Sequence, residues 1–181
     1  NNRLRDERGE IRLISSQDRA HGPGSDMIMA AFTHFNPCGS RFSDGQYGVF
    51  YVAAELPTAI AETKYHRERF MRATHQAPME LDLRVFTLEL NASLHDIRDL
   101  QDQLPEVYHP YRYDAAQSYA RELHDNGSLG IVYDSLRQPG GECAALFRPR
   151  LLSQCRAERH LCFIWDGSSI STVYEKRLYP Q

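Results

Sequence analysis

Three residues that could do chemistry stand at even spacing in the stretch RFSDGQYGVFYVAAELPTAIAE: Arg41, Tyr51 and Glu62. An arginine guanidinium can hold a phosphate or a carboxylate through a fixed fork of donors, and an ordinary surface arginine is the alternative. Tyr51 is either a core tyrosine of an apolar strand or a flat support for a planar or cationic ring. Glu62 is either a solvated helix carboxylate, paired with His66 or Arg67, or a residue of a site.

A fourth candidate lies much later in the chain. Ser135 follows an apolar stretch in YDSLR and is either a turn hydroxyl or a ligand contact. No histidine or acid is recognisably placed to make Ser135 the nucleophile of a catalytic triad. Each of the four signals is weak alone, so the elements that carry them decide how they combine.

Hydrophobic periodicity predicts the elements that position these residues. Residues 48–53 are predicted to form a strand, and residues 57–73 a helix with Pro57 in its first turn. Alternation over 79–90 predicts a long strand, and its change of phase indicates a bulge near 85–86. We further expect strands at 11–16, 129–135 and 143–147, helices at 93–104 and 114–127, and a terminal hairpin that turns at Asp166-Gly167.

The order of these elements predicts a fold class. Because strands and helices do not alternate regularly, we expect one compact α+β domain over residues 1–181, with a mixed sheet and flanking helices. The 181 residues are 41% apolar, which is enough for the core of one domain.

Composition also limits the classes of function. The 21 basic and 24 acidic residues give a formal net charge of −3, so nothing in the charge points to direct nucleic-acid binding. No apolar run approaches the roughly 20 residues that span a bilayer, and we expect no membrane association and a cytoplasmic location. The four cysteines lack a paired spacing, which favours a reduced protein over a disulfide framework. A zinc site at Cys155, His160 and Cys162 is a minor alternative.

The four candidate residues gain specificity as a set. The block RFSDGQYGVFYVA…TAIAE, followed later by GIVYDSLRQPGG, resembles the RES domain, a family named for an arginine, a glutamate and a serine. These three fall on Arg41, Glu62 and Ser135, and the family's tyrosine falls on Tyr51. The family often has tryptophan after the arginine, where this chain has Phe42. The resemblance extends over most of the chain and is less diagnostic over about residues 70–125.

The resemblance implies an enzyme that consumes NAD. RES proteins are toxins of bacterial toxin–antitoxin pairs with a fold similar to that of ADP-ribosyltransferases, so a cognate antitoxin is the implied partner. Cleavage of the nicotinamide–ribose bond passes through a sugar with oxocarbenium character, which a glutamate bonded to the ribose 2-hydroxyl stabilises. Glu62, Arg41 and Tyr51 are the implied catalytic residues. No metal is expected, since nicotinamide is already a good leaving group.

The resemblance also implies which residues bind NAD: Arg41, Ser43, Gly45, Tyr47, Tyr51 and Ser135. Arg41 would hold the phosphate or the nicotinamide-ribose side, and Tyr51 would stack on the nicotinamide. Ser135 would hydrogen-bond the nicotinamide amide or a ribose hydroxyl. The loop SDGQYG would cover the dinucleotide, and a plain turn explains Ser43 and Tyr47 equally well.

Several acceptors of ADP-ribose share the same bond cleavage. Transfer to a cellular protein is favoured, because the segment 102–113 is rich in aromatic residues and proline for a loop, and exposed Tyr and Arg are residue types that anchor protein interfaces. A packed connector or an antitoxin contact is the alternative for that segment. Hydrolysis or phosphorolysis, with water or phosphate as the acceptor, is the alternative reaction. A ribonuclease toxin and a non-catalytic binding module are the competing classes; the eight histidines form no motif that favours the ribonuclease.

Overall fold

The computed structural model describes residues 11–34, 36–177 and Tyr179, and its strands form two sheets. The strands are β1 (Phe50–Ala53), β2 (Met79–Leu90), β3 (His95–Asp96), β4 (Gly130–Asp134), β5 (Glu142–Leu146), β6 (Leu152–Trp165) and β7 (Ile170–Lys176). The first sheet has the order β1-β5-β4-β3 and is mixed, because β3 runs parallel to β4. The second sheet has the order β2-β6-β7 and is antiparallel.

Three α-helices accompany the sheets in the described residues: α1 (Ser25–Thr33), α2 (Leu56–Ala73) and α3 (Asp114–Asp125). Short 3₁₀ turns occupy Ile11–Leu13, Ser16–Asp18 and Pro149–Leu151. This arrangement confirms the predicted α+β class with a mixed sheet and flanking helices. Within the described part of the chain, no helix combines the length and the apolar character that a membrane span requires.

The central strand β5 faces two hydrophobic cores. Cys143 and Ala145 belong to a cluster that α3 completes, whereas Ala144 and Leu146 belong to a cluster that α1 completes. Burial on both faces explains why β5 is apolar at nearly every position instead of alternating. The first of these cores lies beneath the candidate site.

The helix α2 packs on the second sheet. Its Met71 joins Leu161, Phe163, Trp165 and Ile170 in a third buried cluster, and Leu56 and Ile60 pack against that cluster. Pro57 stands in the first turn of the helix, where a missing N–H costs nothing. Because one side of α2 is held by this sheet, a different side is free to carry polar residues toward β1 and β4.

Several predicted elements are confirmed with small changes of boundary. The predicted helix at 57–73 is α2, the predicted strand at 79–90 is β2, and the helix at 114–127 is α3. The register of β2 against β6 shifts between Val85 and Phe86, which confirms the predicted bulge. The strands at 48–53, 129–135 and 143–147 and the terminal hairpin are also present.

Two predicted elements are wrong. Residues 11–16 form 3₁₀ turns instead of a strand, and the Arg19 side chain donates to the carbonyls of Ile11 and Ile14. Residues 93–104 form the short strand β3 and a series of turns instead of a helix. Asp99 has a φ of 59°, a left-handed conformation that interrupts a helix. The helix α1 was not predicted, because its glycine-rich approach was interpreted as a loop.

The cysteines are free thiols, with Cys38 exposed and the other three buried. Cys162 is fully buried, as the apolar run around it predicts. Among the residues that the structure describes, no three His, Cys, Asp or Glu side chains gather into a possible metal site.

Candidate active site

Glu62 and Ser135 meet although 73 positions separate them in the chain. The Ser135 Oγ donates a 2.6 Å hydrogen bond to Glu62 Oε1. The same oxygen accepts hydrogen bonds of 3.1 Å from the backbone N–H groups of Arg137 and Gln138. With two donors fixing its orientation, the hydroxyl must direct its own proton at the carboxylate, and Glu62 is held in one position.

A glycine turn brings the two elements together. After Ser135 the chain turns back into β5, and the Ser135 N–H donates to the Gly141 carbonyl at 2.8 Å. A Cβ on Gly141 would lie 2.6 Å from Oγ1 of Thr58, which is 2% exposed in the first turns of α2. The absence of a side chain at Gly141 therefore lets α2 approach closely enough for Glu62 to reach Ser135.

Arg41 lies in the loop before β1 and holds a second loop in place. Its NH1 donates to the carbonyls of Val107 and His109, both at 3.1 Å, and its guanidinium lies 4.6 Å from the ring centroid of Tyr113. These contacts use one end of the arginine fork on the protein itself. A role in binding NAD stays a prediction, and the structure adds a role in positioning the segment 107–113.

Arg137 is a second arginine at the site, and it is not among the residues predicted from the sequence. Its NH2 donates to the Pro110 carbonyl at 2.5 Å, and its guanidinium lies 3.5 Å from the ring centroid of Tyr65. The ring centroid of Tyr111 lies 5.9 Å from the same guanidinium. Its position two residues after Ser135 was the available signal, because a turn at Ser135 keeps both side chains close to α2.

Tyr51 has a fixed hydroxyl and an accessible side chain. The hydroxyl accepts a 2.9 Å hydrogen bond from the Phe42 N–H and shares a 2.7 Å hydrogen bond with the Ser40 hydroxyl. Burial of the hydroxyl raises the pKa of Tyr51 to about 12, although these bonds and Arg41 act in the opposite direction. The residue as a whole is 38% exposed, so part of it remains available to a ligand. Contact with nicotinamide stays a prediction.

The buried Tyr133 shows that Arg41, Tyr51 and Glu62 share one region, to which Ser135 belongs through its hydrogen bond to Glu62. Burial raises the pKa of Tyr133 well above its ordinary value; Cys143, Tyr51 and Glu62 raise it further, and the charge of Arg41 lowers it. Burial also raises the pKa of the Cys143 thiol to about 12, and Glu62 adds to that shift. These thiol and phenol groups are therefore neutral at pH 7, and both lie close enough to Glu62 for its charge to affect them.

His66 and Arg69 complete the charged residues near Glu62. His66 follows one helical turn after Glu62, and its Nε2 lies 3.9 Å from Glu62 Oε2. Burial lowers the pKa of His66, Glu62 opposes this, and the positive charges of Arg137, Arg69 and Arg41 lower it further. The sequence predicts His66 only as a possible ion-pair partner of a solvated Glu62. Burial and, after it, the surrounding cations disfavour the charged imidazole.

The loop at residues 43–47 bonds mostly within itself. The Ser43 hydroxyl donates to the Tyr47 carbonyl at 2.6 Å and accepts from the Gly45 N–H at 3.1 Å. Gly45 has a φ of 87°, and a Cβ there would meet the Pro37 carbonyl at 2.4 Å. The Tyr47 ring stacks on His124 of α3 with centroids 4.1 Å apart. These contacts give the three residues a structural role; the predicted contact with a dinucleotide stays a prediction.

The segment 102–113 has a buried centre and exposed residues on either side of it. Val107 and Tyr108 are buried, and the Tyr108 hydroxyl donates to the Ile97 carbonyl at 2.8 Å. Tyr111 is 67% exposed beside Arg137, and the Arg112 side chain is exposed as well. The interpretation as a packed connector therefore fits the centre of the segment, whereas the exposed Tyr111 and Arg112 lie beside the site.

The structure thus brings Arg41, Tyr51, Glu62 and Ser135 to one place. The side chains of Ser43 and Tyr47 contact the protein itself in the loop at residues 43–47 and on α3. The structure adds three residues to the site: Tyr65, His66 and Arg137. Their signal in the sequence was proximity to Glu62 and Ser135, which identifies candidates only after the fold is known.

Comparison with known proteins shows the family to which the chain belongs. Residues 17–166 match the RES domain, which is most of the chain. A relative described as "Uncharacterized protein y4oC", from Sinorhizobium fredii, is 27% identical over 171 residues, which cover 91% of this chain and 69% of that protein. The chain belongs to the RES-domain family, which is associated with enzymes that act on NAD.

Proposed function

We propose that this chain cleaves the nicotinamide–ribose bond of NAD, with Glu62 stabilising the positive charge that develops on the ribose. The observation that carries the proposal is the 2.6 Å hydrogen bond from Ser135 to Glu62 Oε1. It fixes the carboxylate before substrate binds and leaves Oε2 for a ribose hydroxyl. A preorganised charge of this kind is worth far more in a partly enclosed site than in water.

The charges around Glu62 support a dinucleotide as the substrate. Arg41, Arg69 and Arg137 all lie close enough to His66 to lower its pKa. The diphosphate of NAD carries two negative charges, which such arginines can neutralise through paired N–H donors. The partly exposed Tyr51 side chain offers a surface for the flat nicotinamide ring. The proposed reaction uses NAD as a substrate and needs no metal.

The acceptor of ADP-ribose is proposed to be a cellular protein. The exposed Tyr111 and Arg112 beside the site are residue types that anchor protein interfaces. Membership of the RES-domain family supports a role as the toxin of a type II toxin–antitoxin pair, with a cognate antitoxin as its partner and the cytoplasmic NAD pool as its substrate. Water or phosphate as the acceptor requires the same cleavage and the same Glu62.

A ribonuclease is the second candidate, and one observation favours it. The imidazole of His66 and the carboxylate of Glu62 are 3.9 Å apart and stand among arginines. Such a set can do acid–base chemistry on RNA. The sequence shows Glu62 and His66 as neighbours one helical turn apart, whereas Arg41 and Arg137 join them only through the fold.

An experiment with NAD labelled on its adenylate half separates these functions. The purified chain is incubated with this NAD in a bacterial lysate, and in parallel with labelled RNA. A discrete labelled protein band supports transfer to a protein. Label found only as free ADP-ribose, or as a phosphorylated form that requires added phosphate, leaves NAD cleavage standing and removes the protein acceptor. Intact NAD with cleaved RNA would establish the ribonuclease, and no reaction of either would leave a binding module.

A further inference from the structure

The imidazole of His66 lies beside the catalytic carboxylate and has no task in breaking the nicotinamide–ribose bond. Nicotinamide leaves as a neutral molecule, because the electron pair of the breaking bond cancels the positive charge of its ring. The leaving group therefore needs no proton. In the proposed cleavage Glu62 acts through its negative charge and takes no part in proton transfer. The one proton that must move belongs to the acceptor that attacks the ribose.

Resting on the proposed cleavage of NAD, we propose that His66 is the general base that takes this proton from the ADP-ribose acceptor. The His66 side chain is 58% exposed, so an acceptor arriving from solvent can reach it. The Glu62 side chain is only 24% exposed beneath it. His66 is therefore the more solvent-accessible of the two side chains, and an acceptor that comes from solvent can contact it.

The distance between the two side chains fits a shared oxygen. His66 Nε2 and Glu62 Oε2 are 3.9 Å apart, which is too long for a direct hydrogen bond. One oxygen atom at about 2.8 Å, an ordinary hydrogen-bond length, can contact both groups at once. A water molecule or an acceptor hydroxyl in that position would touch the base and lie next to the carboxylate that holds the ribose.

The charged groups that face His66 keep it able to accept a proton. Glu62 and Arg69 come from its own helix, Arg41 from the loop before β1, and Arg137 from the turn after β4. The Tyr65 ring meets it edge-on with centroids 5.2 Å apart. Glu62 favours the protonated imidazole, whereas partial burial and the three arginines oppose it, and the pKa of His66 is lowered. The ring is therefore neutral at pH 7, as a general base requires.

The step balances in atoms and charge. The bond between ribose C1′ and the nicotinamide nitrogen breaks, and its electron pair stays on nicotinamide. A lone pair of the acceptor oxygen or nitrogen forms the new bond to C1′. The acceptor proton passes to the imidazole of His66, which becomes an imidazolium and then releases the proton to solvent. No oxidant, reductant or metal enters the step.

The test uses the full chain, NAD and water as the acceptor, and compares His66→Gln with wild type. General-base catalysis contributes about 100-fold or more, so ADP-ribose formation should fall by at least that factor. The wild-type rate should decline as acidic pH protonates His66, and the variant should lack that decline. His75→Gln makes the same change at an exposed position beyond the end of α2 and should match wild type.

A second readout separates the base from a merely structural role. Exchange of labelled nicotinamide into NAD needs the same bond cleavage but moves no proton, because nicotinamide attacks through its ring nitrogen. His66→Gln should keep this exchange, whereas Glu62→Gln should lose it. An unchanged rate and pH profile in His66→Gln, or an equal loss of exchange and hydrolysis, would overturn the role of His66 alone. A folded wild-type chain that releases no nicotinamide would overturn the proposed function itself.

Discussion

Arg41 and Glu62 differ in how much of their bonding capacity the protein itself uses. One carboxylate oxygen of Glu62 accepts a hydrogen bond from Ser135, and the other lies near His66. Arg41 donates from NH1 to two backbone carbonyls, and its guanidinium lies over the ring of Tyr113. The prediction that Arg41 binds a phosphate therefore has to be extended, because Arg41 also holds the segment 107–113 in place.

The substitution Arg41→Lys tests that double role. Lysine keeps the positive charge but has no planar guanidinium that can bond the two carbonyls with one end, lie on the Tyr113 ring and still present its other end to a ligand. We expect kcat/KM for NAD to fall by roughly 10-fold or more, which corresponds to losing about one charge-assisted hydrogen bond. The melting temperature should fall as well. Steady-state kinetics and thermal unfolding measure both effects, and a variant equal to wild type in both would remove this account of Arg41.

The identities of the main candidate residues could be predicted from the sequence, but their neighbours could not. Arg41, Tyr51, Glu62 and Ser135 were found as a family pattern. Arg137 was missed because its importance comes from the fold, where the turn after β4 places it against Tyr65 of α2. Ser43 and Tyr47 show the reverse case, because polar residues in a glycine loop fit a ligand contact and an internal turn equally well.

The helix α2 and the turn at residues 138–141 are the elements that build the site. The sequence predicts α2 well, since its apolar residues recur at helical spacing and Pro57 stands at its start. The helix predicted at 93–104 was wrong because Leu94, Ile97 and Leu104 have helical spacing but serve a strand and turns. Tertiary pairing of β3 with β4 and the left-handed Asp99 decide that segment, and neither is visible in a periodic pattern.

Gly141→Ala should separate α2 from the Ser135 turn. The added methyl group would lie 2.6 Å from Thr58 Oγ1, so the helix or the turn must shift. We expect a loss of about 1–3 kcal/mol in the free energy of unfolding, as for other overpacked sites, together with a lower kcat for NAD cleavage.

The neighbouring Gly140 supplies a matched control for this substitution. Gly140 has a φ of 70° and nothing within 4 Å of an added Cβ, so Gly140→Ala introduces backbone strain without touching α2. We expect this variant to lose stability and keep its kcat. Chemical denaturation and steady-state kinetics on both variants check the distinction. Equal kcat values for the two would show that the contact with Thr58 does not position Glu62.

The β6–β7 hairpin depends on one aspartate with a pH-sensitive contribution. Asp166 accepts hydrogen bonds from the backbone N–H groups of Ser168 and Ser169 and from both hydroxyls. These bonds lower the pKa of Asp166 from 3.8 to about 2. A lowered carboxylate pKa stabilises the folded state at pH values above the unfolded pKa, and this contribution disappears as the pH falls through the folded pKa.

Asp166→Ala should therefore lower the melting temperature at neutral pH. The difference from wild type should stay constant down to about pH 5 and shrink as the pH falls toward the folded pKa. Thermal unfolding followed by circular dichroism between these pH values measures the difference. A gap that persists unchanged at the lowest pH would mean that the ionised carboxylate is not what stabilises the turn.

The arrangement of the whole molecule explains why residues far apart in sequence form one site. The four-stranded sheet supplies Tyr51 from β1 and Ser135 from the end of β4, while the three-stranded sheet supports α2, which carries Glu62 and His66. The α+β class follows from the irregular order of elements in the sequence. The division into two sheets does not, because strand pairing depends on long-range contacts that local patterns leave open.

The most direct test of the account is nicotinamide release from NAD by the wild-type chain and by Glu62→Gln. The substitution keeps the shape of the side chain and its ability to bond Ser135 but removes the negative charge that is proposed to stabilise the ribose cation. Losing one preorganised electrostatic contact typically costs about 100-fold or more in rate, so the variant should be at least that much slower with an unchanged melting temperature. No nicotinamide from the folded wild-type chain, or equal release from both proteins, would contradict the account.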